Sequence, residues 1–577
     1  MFSTPLLRWG CLFSVAAVAV AVALRLQSPL VDASARRAEH HYCYRHVRTH
    51  DRTRPRAECF TVKAGRFRRV WAEDRRPPGL PHIAARDGYA IPGLWDGHGH
   101  LLQYGQFLHS VDLFGSKSLD DVRDRIKAYR ENNPRAGQRD HWIRGVGWDQ
   151  AAFGRMPTAA DLAQDPGLKD LYIMLDRVDV HCTWVSQAVL GLLPDDLPDV
   201  PDGEIIRAPG MGVFCDNAMK HVVDLWPKPK DAEKASAVKT AMARLNEVGL
   251  VGVHDAGSTR DDHELYACMA DRDREDWTVR VYAMLECDQR NDLCTREARK
   301  VERDDSMFTV SSVKLFADGA LGSWGSAMLE PYTDHHWTSG SLLINASDLA
   351  ALTGSWAAAG YQVNIHAIGD LANRNAVDAF DAALKLLCPD DLAECQRRYR
   401  FRIEHAQIIH PDDQRRMREL GIIPSLQPTH ATSDMAYALA RLGPERIASE
   451  AYRMRSLLHV GPGPILGSDF PVEPPNPFHG VYAAVTRKNP ATGLGVNGSA
   501  EGWHTEEALG LDDALWGFTG AAAYGAFLEG RAGVIQEGAF ADWVVLDEPI
   551  EDMDIAKLRS LKVRETWVAG KRVFPKD

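Results

Sequence analysis

The sequence predicts an α/β protein built on a (β/α)8 TIM barrel, and three observations support this fold class. Short apolar runs rich in β-branched residues alternate with helical patterns beyond Pro92, which is typical of parallel βα units. Eight such runs can be distinguished, the number that closes a barrel of this kind. Several of them end in histidine or aspartate, at the edge where barrel enzymes carry their catalytic groups.

The eight predicted strands have lengths typical of buried parallel strands. In chain order they span residues 91–94, 250–254, 279–285, 312–316, 362–366, 401–405, 422–427 and 464–469. The first two are separated by a segment, about residues 115–240, that is far longer than an ordinary βα loop. We therefore predict an inserted subdomain over the barrel mouth, with an amphipathic helix over residues 119–130.

Both ends of the chain show β-like alternation outside the barrel. Residues 59–62 and 67–71 flank a hairpin-like turn, and residues 542–546 and 563–568 alternate in the same way. These segments are predicted to pair into one small β-sandwich. The predicted domains are a leader with a linker (1–40), the first part of the sandwich (41–90), the barrel (91–530) and the second part of the sandwich (531–577).

The N-terminal segment predicts entry into the secretory pathway. Residues 9–24 are apolar or small throughout, with Arg8 before them and Arg25 after them. The run is long for the core of a signal peptide and short for a membrane span, so a cleaved signal and an uncleaved single-pass anchor are equally supported. A buried helix is less consistent with a segment that has no polar face. The protein is then either secreted or anchored in a membrane.

Two further patterns fit a secreted protein. Asn345 and Asn497 each begin an acceptor triplet for N-linked glycosylation, which predicts a glycoprotein. The chain has ten cysteines, and three pairs lie close in sequence: 43 with 59, 287 with 294, and 388 with 395. Each pair suits a small disulfide loop, and free buried cysteines explain the pattern equally well.

Length and composition narrow the class of protein. The chain has 577 residues, 45% hydrophobic and 25% charged, which is ordinary for a soluble globular protein. Its length suits a large catalytic domain with an accessory one. The formal net charge is −12, whereas binding to nucleic acid requires a basic surface. We therefore expect a small-molecule substrate and no nucleic-acid partner, and homodimer formation is left open.

Histidines at the ends of predicted strands indicate a metal site. His98 and His100 follow the first strand, and alternate side chains of an extended strand point the same way, so both can reach one metal ion. An isolated pair is weak evidence in a chain with 22 histidines. His366 and His405 end later strands in the same register, and the joint pattern outweighs a structural role for either. Imidazole and carboxylate ligands favour zinc or a similar divalent cation.

Asp469 and Lys314 complete the predicted ligand set. Asp469 follows the eighth strand, where a carboxylate serves either as a helix cap or as a ligand that also relays protons. Lys314 lies between Val313 and Leu315 on a predicted buried strand, where desolvation lowers the pKa of its amine. The neutral amine can react with carbon dioxide, and the resulting carbamate can bridge two metal ions. His254 is placed near the site without a role as a ligand.

The motifs around these residues resemble those of the amidohydrolase superfamily, in its N-substituted formamide deformylase-like branch (amidohydrolase family 3). They are residues 92–100 (PGLWDGHGH), 314–323 (KLFADGALGS), 366–370 (HAIGD), 404–406 (EHA) and 467–469 (GSD). Residues 538–546 (GAFADWVVL) are similar to the closing sandwich strand of the family. The resemblance extends from about residue 60 to the C-terminus, and the apolar leader is an addition to the family pattern.

The resemblance implies a role for each candidate residue. His98, His100 and Asp469 would bind one metal ion and His366 and His405 a second, with carboxylated Lys314 between the ions. Asp469 would also be the catalytic proton relay. The implied substrate-binding residues are Arg177, Asp179, His181, Asp318 and His430. Val180 replaces a usual glycine in the first of these segments.

The resemblance also implies the reaction. We expect a metal-bound hydroxide, formed on one or two divalent ions, to attack the C–N bond of an amide or N-substituted formamide other than a peptide. One alternative is hydrolysis of a cyclic amide or an ester by the same fold. A second alternative, from a different class, is a non-catalytic binding module anchored in a membrane.

Overall fold

The computed structural model describes residues 38–576, except 81, 179, 181, 201 and 202. The predicted leader at residues 9–24 lies outside the described part of the chain. Among the described residues, none of the helices combines the length and the apolar character needed to cross a bilayer.

The described strands belong to three sheets. The N-terminal segment contains β1 (His40–Arg48), β2 (Arg56–Lys63), β3 (Arg66–Trp71) and β4 (Arg86–Pro92). The barrel begins with β5 (Leu94–Gly99), and the inserted segment contains β6 (Val111–Asp112), β7 (Ile143–Trp148), β8 (Ile173–Arg177), β9 (Cys182–Val185), β10 (Gly203–Ile206) and β11 (Val213–Asp216). The barrel continues with β12 (Leu250–Ser258), β13 (Arg280–Leu285), β14 (Phe308–Phe316), β15 (Gln362–Ala367), β16 (Arg402–His405), β17 (Ile423–Leu426) and β18 (Ile465–Leu466). The C-terminal segment adds β19 (Trp543–Leu546), β20 (Glu565–Val568) and β21 (Lys571–Phe574).

Eight parallel strands form the barrel in the order β5, β12, β13, β14, β15, β16, β17 and β18. The first and last strands meet beyond β18, where the Asp469 N–H donates to the His98 carbonyl at 2.7 Å and the His100 N–H donates to the Phe470 carbonyl at 2.8 Å. Gly97 permits this approach, because a Cβ there would lie 2.7 Å from the Leu466 carbonyl oxygen. The predicted fold class is confirmed.

The helices of the first half are α1 (Leu101–Leu108), α2 (Leu119–Asn132), α3 (Gln150–Phe153), α4 (Ala159–Ala163), α5 (Gln187–Leu190), α6 (Lys220–Val223), α7 (Asp231–Glu247) and α8 (Arg260–Arg272). Those of the second half are α9 (Ala346–Ala358), α10 (Asp370–Leu387), α11 (Leu392–Tyr399), α12 (Pro411–Leu420), α13 (Pro428–Asp434), α14 (Ala438–Ser449), α15 (Pro477–Thr486), α16 (Leu511–Gly517) and α17 (Gly520–Gly525). Residues 286–307, all of them described, connect β13 to β14 through turns without a helix.

Strands from both chain ends share one seven-stranded sheet, in which β4 pairs with β19. Its core stacks the rings of Trp543 and Trp567, with centroids 4.6 Å apart. The first barrel strand, predicted at residues 91–94, is placed wrongly, because residues 91–92 end β4 in this sheet. Pro92 cannot donate a hydrogen bond, and the Gly93 N–H donates to the Asp542 carbonyl at 3.0 Å, so the barrel strand begins only at Leu94.

The inserted segment folds around its own six-stranded sheet, ordered β10, β11, β9, β8, β7 and β6. A disulfide joins Cys182 to Cys215, which face each other on β9 and β11. This bond was not predicted, because only cysteines close in sequence were paired and 33 residues separate these two. All three pairs considered from the sequence are disulfide-bonded as well: Cys43–Cys59, Cys287–Cys294 and Cys388–Cys395.

Candidate metal centre

The carboxyl ends of the barrel strands bring the predicted ligands together. His98 lies in β5, His366 in β15 and His405 at the end of β16. The His98 and His405 rings have centroids 4.8 Å apart, and those of His366 and His405 are 4.4 Å apart. Asp469 follows β18, and its Oδ1 lies 3.0 Å from His100 Nε2 and 3.5 Å from His98 Nε2.

One group in this cluster has the spacing of a metal site. The ligand atoms of His98, His405 and Asp469 all lie within 4.8 Å of one another, and the three residues are buried. This group takes His405 from the set that the resemblance assigned to a second ion. Two ions close together, or one ion at the centre, are both compatible with that spacing.

Unpaired atoms inside the cluster test whether a cation fits there. In the described part of the chain, His98 Nε2, His366 Nε2, His405 Nδ1 and Asp469 Oδ1 are buried and make no hydrogen bond of good geometry, although His100 Nε2 lies 3.0 Å from Asp469 Oδ1. Buried polar atoms are nearly always paired, so four such atoms in one cavity require an explanation. A divalent cation would satisfy them, because imidazole nitrogen and carboxylate oxygen are its usual ligands. The donor set therefore fits a metal.

Glu404 fixes the orientation of His98. Its Oε2 lies 2.5 Å from His98 Nδ1, so an Nδ1–H group donates to the carboxylate and Nε2 faces the cluster with its lone pair. Burial lowers the pKa of His98 to about 4. The ring is thus a neutral ligand, which is the form that binds metal.

Arg402 holds Glu404 in turn. Both side chains are fully buried, and Arg402 Nη2 donates to Glu404 Oε2 at 2.9 Å, to the Gly97 carbonyl at 2.8 Å and to Ser425 Oγ at 3.0 Å. Burial alone would raise the pKa of Glu404, but the charge of Arg402 and the hydrogen bond from His98 hold it well below its usual range. Glu404 is therefore an anion that orients the candidate ligand His98 through a hydrogen bond.

Asp96 ties the first barrel strand to the last. Its Oδ1 accepts the backbone N–H of His98 at 3.0 Å and of Ser468 at 3.1 Å, and its Oδ2 accepts the Ser468 hydroxyl at 2.7 Å. Burial raises the pKa of Asp96 to about 7. Asp96 thus sets the distance between the backbone that carries His98 and the backbone that carries Asp469.

The backbone is strained where two ligands project. His405 has a φ of 72° and Asp469 a φ of 61°, in the left-handed region that side chains with a Cβ seldom adopt. Such strain persists where the surroundings enforce it, and it clusters at functional sites. Burial would raise the pKa of Asp469, but His98 and His100 hold it well below its usual value. A carboxylate is therefore presented to the cavity.

Lys314 is buried on β14, as the sequence predicts. Its Nζ lies 3.4 Å from the Ala256 carbonyl oxygen and 4.8 Å from the centroid of the Phe316 ring. Burial is the main cause that lowers the pKa of this amine. A lowered pKa increases the neutral form that carbamate formation requires.

The predicted substrate-binding residues separate in the structure. The carboxylate oxygens of Asp318 are already hydrogen-bonded to the backbone. They accept the N–H groups of Ala327, Ile368 and Gly369 at 2.8–3.0 Å. Burial raises the pKa of Asp318 to about 7, and Oδ1 lies 3.6 Å from His366 Nε2. Its position fits the support of the loop after β15 better than contact with a substrate.

The other predicted pocket residues lie in different parts of the chain. His430 Nε2 is 3.7 Å from Asp469 Oδ2, beside the cluster. Arg177 ends β8 in the inserted sheet, and Asp179 and His181 lie outside the described residues. His254 Nδ1 lies 2.6 Å from Arg402 Nη1. His254 is therefore near the site, where the sequence placed it without a role as a ligand.

Sequence reasoning missed Asp96, Arg402 and Glu404 as functional residues. Asp96 and Glu404 lie inside the motifs at residues 92–100 and 404–406, and Arg402 is a charged residue on a predicted barrel strand. A charge on a buried strand must be paired, and that rule was a usable signal. It does not identify the partner, which depends on the barrel.

Comparisons with known proteins identify relatives of this chain. A family model described as the amidohydrolase family matches residues 82–574. Protein LONG AFTER FAR-RED 3 of Arabidopsis thaliana is 28% identical over 548 residues, covering 91% of this chain and 90% of that protein. N-substituted formamide deformylase of Arthrobacter pascens is 25% identical over 545 residues, covering 91% of this chain and 96% of that protein. A solved structure of an uncharacterized metal-dependent hydrolase from Pyrococcus horikoshii OT3 shares the fold, with a TM-score of 0.73, 22% identity, and coverage of 90% of this chain and 99% of that chain.

Proposed function

The chain belongs to the amidohydrolase family, and from that premise we propose that it is a metal-dependent hydrolase that cleaves the C–N bond of an amide or N-substituted formamide. The observation that carries the proposal is the buried cluster of His98, His405 and Asp469, whose ligand atoms lie within 4.8 Å of one another. The likeness to an N-substituted formamide deformylase along nearly the whole chain supports this bond class.

His98, His100, His366, His405 and Asp469 would hold one or two divalent ions, with zinc the best match to their nitrogen and oxygen atoms. Carboxylated Lys314 would supply two further oxygens between two ions. When bound, a divalent cation lowers the pKa of a coordinated water and polarises the carbonyl of the substrate. The remaining steps depend on side chains of this chain.

Asp469 is positioned to move the proton. It is an anion in the cavity, with Oδ1 3.0 Å from His100 Nε2 and Oδ2 3.7 Å from His430 Nε2. The carboxylate takes a proton from the attacking water and returns it to the nitrogen that leaves, so the amine departs as a neutral product. The left-handed φ of 61° at Asp469 is a strained conformation of the kind found at functional sites, which supports this role.

The proposed location is the secretory pathway, as a secreted or single-pass protein. Four disulfides among the described residues support it, because such bonds persist in oxidising compartments. Glycosylation of Asn497, whose side chain is exposed, belongs to the same proposal. Asn345 is also exposed, but it lines a cleft beside Arg290 that a glycan would obstruct.

The test combines metal content with hydrolysis. Purified protein should contain a stoichiometric divalent metal by elemental analysis and hydrolyse members of an N-substituted formamide panel, and chelation should abolish that activity. Asp469→Asn should lower kcat by at least about 100-fold. Asp512→Asn, which changes a carboxylate that is 83% exposed, is the matched control and should keep full activity. Protein with neither metal nor activity toward any amide of the panel would refute the proposal.

A further inference from the structure

A short disulfide-closed loop stands at the mouth of the barrel beside the metal centre. Cys287 and Cys294 are bonded, and the loop between them is fixed to the end of β14 by Asn291. The Asn291 side chain donates to the Phe316 carbonyl at 2.8 Å and accepts from the Phe316 N–H at 2.9 Å. The disulfide and the Asn291 hydrogen bonds restrict the loop, so the backbone of its central residue, Arg290, has a defined position.

Arg290 lies over the aromatic ring that adjoins the metal ligands. Its guanidinium carbon is 4.4 Å from the centroid of the Phe316 ring. The same ring has its centroid 5.7 Å from that of His366, and Lys314 Nζ lies 4.8 Å from it. Arg290 and two predicted ligands, Lys314 and His366, thus lie near the same phenyl ring.

A cleft of about 660 Å³ opens next to Arg290. Arg290 and Asn291 line one side, and residues 342–345 with helix α9 line the other. Leu293 and Leu343 expose 44% and 42% of their surface there. Asp292, Asn345 and Asp348 also line the cleft. It can therefore receive a group of mixed character whose apolar part packs on the two leucines and whose anionic end meets the guanidinium.

The internal partner of Arg290 is weak. Glu286 Oε1 lies 3.4 Å from Arg290 Nε, and the Arg290 side chain is 57% exposed. Exposed pairs of this kind contribute little to stability. A planar carboxylate can engage two guanidinium N–H groups at once, which a single long contact to Glu286 does not use.

The geometry points to Arg290 as a specificity-determining residue that binds a carboxylate on the substrate, with the apolar part of the substrate in the adjacent cleft. The substrate class is then an amide or formamide that also carries an anionic group. This inference rests on the proposed function for the identity of the reacting site, but binding of the anion can be measured without hydrolysis. Arg290 selects the substrate and takes no part in the proton transfer.

Binding is measured by isothermal titration calorimetry on the metal-loaded protein with phenylacetate and with 2-phenylethanol, its neutral counterpart, neither of which has a scissile C–N bond. Arg290→Ala should weaken phenylacetate binding about ten-fold or more, the usual effect of losing a charge-assisted hydrogen bond. Arg290→Lys should give an intermediate loss, because charge remains without the planar fork. Arg299→Ala, which removes the same charge from an exposed position on the same connection, should change binding less than about two-fold.

A second comparison separates direct contact from a general change of charge. Glu286→Gln should tighten phenylacetate binding a few-fold in the wild-type background and have no effect in the Arg290→Ala background. An equal effect in both backgrounds would overturn the inference, as would phenylacetate binding that is no tighter than that of 2-phenylethanol or that survives Arg290→Ala.

Hydrolysis of N-formylglycine and N-formylglycinamide distinguishes this inference from the proposed function. Wild type should prefer the carboxylate substrate, and Arg290→Ala should raise its KM with little change in kcat. If wild type hydrolyses neither compound nor any other amide, the proposed function fails while calorimetry still decides the role of Arg290. If hydrolysis occurs without preference for the carboxylate, the inference about Arg290 fails alone.

Discussion

Replacing Glu404 by Gln should weaken metal binding through His98 and destabilise the fold through Arg402. The change keeps the shape of the side chain and removes one buried negative charge. Arg402 retains its bonds to the Gly97 carbonyl and Ser425 but loses its counterion, with both members of the pair fully buried. Breaking such a pair by neutralising one partner costs about 3–5 kcal/mol in the free energy of unfolding.

The change in metal affinity is a second effect of the same substitution. His98 Nδ1 now donates to a neutral carbonyl instead of the carboxylate that lies 2.5 Å away. Loss of such a second-layer carboxylate lowers metal affinity about 10–100-fold, which corresponds to about 1.4–2.7 kcal/mol. Stability is measured by urea unfolding of chelator-treated protein, and affinity by competition with a chromophoric zinc chelator.

Asp542→Asn is the matched control. Asp542 pairs with Arg280 through two contacts of 2.6 and 3.0 Å, and both side chains are nearly as buried as the Arg402 pair. The pair lies between the barrel and the terminal sheet. Asp542→Asn should therefore cost similar stability and leave zinc affinity unchanged. If the two variants lose zinc equally, or if Glu404→Gln binds zinc as wild type does, the assigned role of Glu404 is refuted.

Two further predictions concern the buried side chains of Lys314 and Glu450. Lys314→Ala should lower the metal content, since a bridging carbamate would be lost, and full metal occupancy by elemental analysis would count against that carbamate. Burial and the neighbouring Asp370 raise the pKa of Glu450 to about 7, so the folded state binds this proton more tightly than the unfolded state. Stability should then fall as pH rises from about 4.5 to about 7, and Glu450→Gln should gain up to about 3 kcal/mol at pH 8 with no gain below about pH 4. Urea unfolding of chelated protein at both pH values checks this, and an equal effect at the two pH values would contradict it.

The sequence predictions that agree with the structure rest on local patterns. His366 and His405 were singled out because each ends a predicted strand, and side chains at strand ends in one register meet at one edge of a parallel sheet. The same logic does not locate Glu404 opposite His98, since 306 residues separate them. The Cys182–Cys215 bond escaped detection for the same reason, because strand pairing in the inserted sheet aligns the two residues.

Boundaries between domains were also beyond local patterns. The apolar run at residues 91–94 is continuous in sequence, yet Pro92 and Gly93 divide it between two sheets. Both sides of that break are apolar, so hydrophobicity alone gives no sign of it. Only the hydrogen bond from Gly93 to Asp542 shows where the terminal sheet ends.

From the amino-acid sequence alone, the barrel, the chemical type of the site and a set of candidate ligands could be predicted. These features depend on local periodicity and on residue types at strand ends, which a single chain displays directly. The tertiary structure decided which charges support the ligands, how the cluster is spaced, and that Arg290 stands at its mouth. The physical reason is that such contacts join residues far apart in the chain, and they exist only once the eight strands have closed into a barrel.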